Sequence, residues 1–247
     1  MPKVKLNSTK LKAGKLGRHP GFRRDDDSLE TVFLGDRYCS WPALVVGLTG
    51  GIGAGKSTVS AMLKERGIPV SDADEIVHRA LDVGGQGYSR VLKLFGPSVR
   101  QEDGRLDRAA MAHRVFVNPR LRKKLEAILH PLVEREFKRR IAVHRRGLLV
   151  LDVPLLFESG LDRLVDRTVL VWAPKKVCLD RLASSGRLTR PQALRRMAAQ
   201  MPLSEKRRRA HFLLDNSGSR AALRRAFARL FIGTGAPPLV YKNVTTS

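Results

Sequence analysis

The run Gly50-Gly51-Ile52-Gly53-Ala54-Gly55-Lys56-Ser57 fits G-x-x-x-x-G-K-[ST], a spacing suited to cradling the phosphates of a nucleoside triphosphate. Glycine reaches backbone dihedrals closed to other residues, so the N–H groups of Gly53, Gly55 and Lys56 can wrap a β-phosphate at the start of a helix. In this pattern Lys56 reaches the β- and γ-phosphates, Ser57 binds Mg²⁺, and Thr58 follows on the α-phosphate side. Gly51, Ile52 and Ala54 complete the loop that holds ATP. The loop does not name the acceptor, because kinases, GTPases and ATPases share it.

A second group is Asp72-Ala73-Asp74, whose carboxylates stand at alternate positions just after a short apolar run. An aspartate there can orient a hydroxyl and accept its proton for in-line attack on phosphorus. Asp72 has other readings: it caps a helix over residues 75–80, or it serves the metal. Asp215-Asn216-Ser217-Gly218 lies before a helical stretch at 220–230, where Asn216 and nearby backbone can meet adenine or simply form a turn and cap.

These groups need a scaffold that brings loop ends together. Short apolar runs at 44–48, 68–71, 148–153, 168–172 and 212–214 alternate with helical periodicity, the pattern of an α/β domain built on a five-stranded parallel sheet. In open sheets of this kind ligands gather beyond the carboxyl ends of the strands. Residues 76–146 supply no convincing strand and read as a helical subdomain inserted after the second strand. The Arg-rich stretch 174–209, broken at Ser184-Ser185-Gly186 and Pro202, reads as a mobile cap, its lid proper at 181–209. Residues 1–42 read as a flexible basic extension, 43–232 as the folded domain with core segments 43–75 and 147–232, and 233–247 as a tail.

Composition narrows the class. The chain has 247 residues, 43% of them hydrophobic, enough for one good core, and no run approaches the roughly 20 apolar residues of a membrane span. Its two cysteines, Cys39 and Cys178, cannot form a multi-bridge framework, and a secretory signal is not evident, so a reducing cytoplasm is expected. The first 24 residues, basic and acid-free, share that much with a transit peptide but have little serine. A net charge of +24 suits a nucleic-acid partner or a polyanionic small molecule, yet mostly reads as Arg-rich decoration of solvated helix faces. No RNA-recognition or zinc-finger motif supports nucleic acid.

From Leu44 to Leu230 the sequence resembles the dephospho-CoA kinases, which are P-loop kinases. The resemblance is carried by the phosphate loop, Asp72-Ala73-Asp74, Phe95-Gly96, Asp103-Gly104, Leu106-Asp107-Arg108, His130-Pro131-Leu132, Val153-Pro154-Leu155-Leu156-Phe157-Glu158 and Asp215-Asn216-Ser217-Gly218. It implies ATP-dependent phosphorylation of the 3′-hydroxyl of dephospho-coenzyme A, with Mg²⁺, the last step of coenzyme A synthesis. It implies Asp74 as general base, Arg181 as a transition-state or phosphate contact alongside Lys56, and His130, Pro154, Leu155, Leu156 and Glu158 with Asp72 around the acceptor. The helical insert becomes the coenzyme A subdomain. Two departures stand out: Ser185-Gly186-Arg187 replaces an expected Arg-Asp-Gly, leaving Arg187 as the substitute lid contact for ATP, and His211 stands where an aspartate is usual. Competing readings are a nucleoside monophosphate kinase and a nucleic-acid-binding P-loop protein.

Overall fold

The computed structural model describes residues 43–186 and 188–231. Arg187, the 1–42 extension, Ile232 and the 233–247 tail lie outside the described residues. Five parallel strands, β1 (Leu44–Gly50), β2 (Val70–Asp72), β3 (Leu148–Asp152), β4 (Arg167–Trp172) and β5 (Phe212–Asp215), form one sheet in the order β2-β3-β1-β4-β5. β1 is central because it is apolar along nearly its whole length and is flanked on both edges, Val46 standing opposite Val150 of β3 and Leu48 opposite Val169 of β4. Strands buried on both faces read as continuous hydrophobic runs, which is why these were legible as strands at all.

Nine α-helices accompany the strands in the described residues: α1 (Lys56–Lys64), α2 (Ala73–Ala80), α3 (Tyr88–Phe95), α4 (Arg108–Val117), α5 (Pro119–Val143), α6 (Lys175–Ser184), α7 (Arg190–Ala198), α8 (Leu203–Arg209) and α9 (Arg220–Phe231). The chain divides into two compact units, Ser71–Val143 and the described residues on either side of that segment. In the sheet-bearing unit Val46, Leu48, Val150, Val169 and Val171 pack with Met62 and Leu63 of α1 and Phe227 of α9. α9 presents Leu223, Phe227, Leu230 and Phe231 at helical spacing to that core.

The Ser71–Val143 unit is helical and has its own core of Leu81, Val91, Phe95, Val99, Leu106 and Met111. Several motif residues build it. Phe95 is core, and Gly96, with φ +82°, ends α3 in a conformation that favours glycine. Asp107 caps α4 by accepting from the Ala110 N–H at 2.9 Å, while Arg108 Nη2 donates to the His78 carbonyl and to Asp82 Oδ1, each at 3.0 Å. α5 runs as one 25-residue helix straight through Pro131, so His130-Pro131 does not interrupt it.

His211 fastens the start of β5 to β4. The backbone N–H of Thr168 donates to its Nδ1 at 3.1 Å, and the His211 N–H donates to Thr168 Oγ1 at 3.0 Å. Nδ1 is thus an acceptor, a part an aspartate carboxylate would also fill. Burial, and then the nearby Arg167, push the imidazole below its ordinary pKa, with Asp162 acting the other way. The neutral form is therefore the native one. Below about pH 6.5 the unfolded chain binds the proton more readily, so stability falls as pH drops from there through the native pKa. We expect His211→Asn, which keeps an acceptor without titrating, to flatten the Tm profile between about pH 7.5 and 5.5 relative to wild type. Parallel profiles would show that His211 does not carry this dependence.

Candidate active site

The phosphate loop begins at the carboxyl end of β1 and closes into the first turn of α1. Gly53 has φ +79° and Gly55 has φ +92°. A side chain at either would be strained and would also collide, since a Cβ on Gly53 would stand 2.7 Å from the Cys178 carbonyl oxygen and one on Gly55 2.2 Å from Asn216 Nδ2. Gly55 is the N-cap of α1 and offers no side-chain cap, which leaves the first N–H groups of that helix to an anion. Ser57 is exposed at the same turn. The Ile52 N–H is already occupied, donating to Gln200 Oε1 at 3.2 Å.

Lys56 is held from below. Its ammonium donates to Asp152 Oδ1 at the end of β3, and the Ser60 hydroxyl donates to Asp152 Oδ2. Asp152 is 2% exposed in its side chain against 16% for Lys56, so a buried carboxylate fixes a cation whose head remains reachable. Sequence reasoning gave Asp152 no role. The signal was available: an apolar strand, Leu148 to Leu151, that ends abruptly in aspartate at the sheet edge where ligands collect.

Asn216 follows β5 and is buried. Its Nδ2 donates to the Ala54 carbonyl at 2.8 Å, and its backbone N–H to the Trp172 carbonyl at 2.7 Å, so its side chain braces the phosphate loop. Gly55, Thr58, Arg181, Asn216 and Gly218 line an open cleft of about 330 Å³. Arg181 lies on α6, and its Nη1 is buried with no hydrogen-bond partner among the described residues. An unmet buried guanidinium N–H is costly, and an acceptor supplied by a bound molecule would relieve it. Cys178, one turn before it, is a packed thiol that burial pushes up in pKa.

A second constellation joins the turn after β3 to α8. Lys206 is fully buried, and its ammonium donates to the Pro154 carbonyl and to Glu158 Oε1, both at 2.9 Å. Pro154 also accepts from Thr49 Oγ1 at 3.0 Å, and Glu158 Oε1 from the Met201 N–H at 2.9 Å. Lys206 was not singled out from sequence, because a lysine within Glu205-Lys206-Arg207-Arg208-Arg209 reads as one more solvated charge. Of its neighbours, Leu155 is exposed whereas Leu156 is completely buried, which makes Leu156 packing after a strand. Only the lysine of this pair is buried, and Lys206→Met removes the donor to the Pro154 carbonyl while leaving Glu158 open to solvent, so unfolding free energy should fall by about 1–3 kcal/mol in denaturant titrations. A single substitution with no effect would mean the pair is structurally idle.

The other expected residues belong to the Ser71–Val143 unit. Asp72 is the N-cap of α2: its Oδ1 accepts from the N–H groups of Asp74 at 2.8 Å and Glu75 at 3.3 Å. Asp74 stands in the first turn of that helix, where the dipole favours a carboxylate. His130 is half-buried on α5.

A parallel sheet whose central strand delivers a glycine loop and lysine to a helix N-terminus defines a P-loop protein that binds a nucleoside triphosphate. The family model for dephospho-CoA kinase matches residues 44–222. Dephospho-CoA kinases of Anaeromyxobacter dehalogenans and Bacillus licheniformis are 43% and 45% identical, covering 80% and 71% of this chain and 99% and 89% of theirs. A Thermus thermophilus protein of known crystal structure superposes with TM-score 0.66 at 40% identity, covering 76% of this chain and 95% of its own. The chain belongs to the dephospho-CoA kinase family. Among the described residues no helix is long and apolar enough to cross a membrane.

Proposed function

We propose that this protein transfers the γ-phosphoryl group of ATP to the 3′-hydroxyl of dephospho-coenzyme A, yielding coenzyme A and ADP in a reducing cytoplasm. The observation that carries the reading is the pairing of a phosphate loop, its lysine seated on Asp152, with a family match spanning most of the chain. The hydroxyl oxygen attacks the γ-phosphorus, the bond from that phosphorus to the β,γ-bridging oxygen breaks, and the hydroxyl proton passes to Asp74. Lys56 offsets charge on the moving group, and Arg181 contributes a guanidinium from α6.

Gly51, Ile52, Gly53, Ala54, Gly55, Ser57 and Thr58 hold the triphosphate. Asn216 serves them by bracing the loop. The exposed Ser57 hydroxyl is a hard oxygen donor that suits Mg²⁺, which binds through one or two protein oxygens plus phosphates and water. When bound, the ion would neutralise phosphate charge. On the acceptor side we assign His130, Pro154, Leu155 and Glu158 to contact, Leu156 to supporting them from the core, and Asp72 to holding the helix that carries Asp74. Residues 76–146 serve as the coenzyme A subdomain and 181–209 as the lid.

The test is to incubate purified protein with Mg-ATP and dephospho-coenzyme A, with AMP and adenosine as alternative acceptors. Coenzyme A and stoichiometric ADP are expected. Preferential phosphorylation of AMP would overturn the acceptor, and ATP turnover that none of these acceptors stimulates would overturn the reading altogether.

A further inference from the structure

Arg220 opens α9 beside the cleft that Thr58, Arg181, Asn216 and Gly218 also line. It is exposed, and among the described residues it makes no ion pair and no hydrogen bond through its side chain. Its position is locally unfavourable, because a cation in the first turn opposes the helix dipole and no acidic residue there offsets it. Nothing among the described residues accounts for an arginine at this place. The cleft does.

We propose that Arg220 is a nucleotide-binding residue whose guanidinium stacks on the base of the bound purine nucleoside triphosphate. The inference rests on the kinase reading above. The direction of the nucleotide follows from the loop. The Lys56 ammonium, at the γ-phosphate end, is seated on Asp152 and is not among the cleft's lining residues, whereas Thr58, on the α-phosphate side, is. The cleft therefore receives the nucleoside half. Its lining includes apolar Leu223 as well as two arginines, the mixture that suits a flat heterocycle with polar edges. A guanidinium is planar and weakly hydrated, so it stacks on such a ring where an ammonium would not. The orphaned Nη1 of Arg181 supplies a second, independent sign that this cleft is built for an occupant.

Calorimetric titration with ATP and with tripolyphosphate, which has the phosphates but no base, tests this. Arg220→Leu should raise the ATP Kd about 5- to 30-fold, while tripolyphosphate binding changes no more than in Arg225→Leu, an equal charge loss elsewhere on α9. Arg220→Lys should remain several-fold weaker than wild type, since it keeps charge but loses the plane. Equal losses for ATP and tripolyphosphate, full rescue by lysine, or an unchanged ATP Kd in Arg220→Leu would each overturn the proposal. Its failure is separable from failure of the kinase reading: in the first case wild type still binds ATP and phosphorylates dephospho-coenzyme A, and in the second it does not.

Discussion

Lys56→Ala protein should turn over about 10²- to 10³-fold more slowly than wild type and bind ATP more weakly, because it lacks the cation that offsets charge on the phosphoryl group. The substitution has a second, measurable consequence. Asp152 is almost fully buried, and among the described residues its partners are the Ser60 hydroxyl and the Lys56 ammonium. Without the ammonium its charge is left in low dielectric, so unfolding free energy should drop by about 3 kcal/mol. Adding Asp152→Asn removes that stranded charge. The double variant should regain much of the stability and none of the activity, separating the two roles of Lys56 in one experiment. A Lys56→Ala enzyme with kcat within a factor of a few of wild type would remove Lys56 from the chemistry.

Asp74→Asn should lower kcat by about 10²- to 10⁴-fold while leaving the ATP Kd close to wild type. Asparagine has the shape of aspartate but cannot take the hydroxyl proton, so the loss should appear in kcat rather than in nucleotide affinity. The helix carrying it will hold, because α2 is capped by Asp72 and not by Asp74. Asp72→Asn supplies the contrast, since asparagine caps a helix about as well as aspartate. That variant should keep most of its activity. Comparable losses in both would mean that Asp72 shares the acceptor chemistry, and an unimpaired Asp74→Asn would assign the base elsewhere.

Much of this site was legible from residue order because its parts are local. A phosphate loop needs glycines at fixed offsets, an apolar strand before it and a helix after it, and all three lie within residues 44–64. Asp72-Ala73-Asp74 was legible for the same reason, since both cap and carboxylate belong to one helix start. The breaks at Gly186 and Pro202 marked the end of α6 and the start of α8, because glycine and proline act on their own backbone. Strand limits were less clear. β1 runs on to Gly50, and β2 starts at Val70 and ends in the residue that caps α2, since ladder pairing, not hydropathy, sets where a strand stops.

Tertiary structure alone decided which polar residues work in pairs. Asp152 lies 96 residues from Lys56, Lys206 lies 52 from Pro154, and Asn216 lies 162 from Ala54. No periodicity or motif spacing encodes such partnerships. They arise when parallel strands bring distant loop ends to one edge of the sheet, and burial there obliges every charge and amide to find a partner. The sequence by itself determined the phosphate chemistry, the α/β alternation and the family. Folding decided that Lys206 is an interior anchor rather than a surface charge, that Leu156 is core, and that Asn216 braces the loop, because burial depends on the whole packed chain and not on a residue's neighbours in sequence.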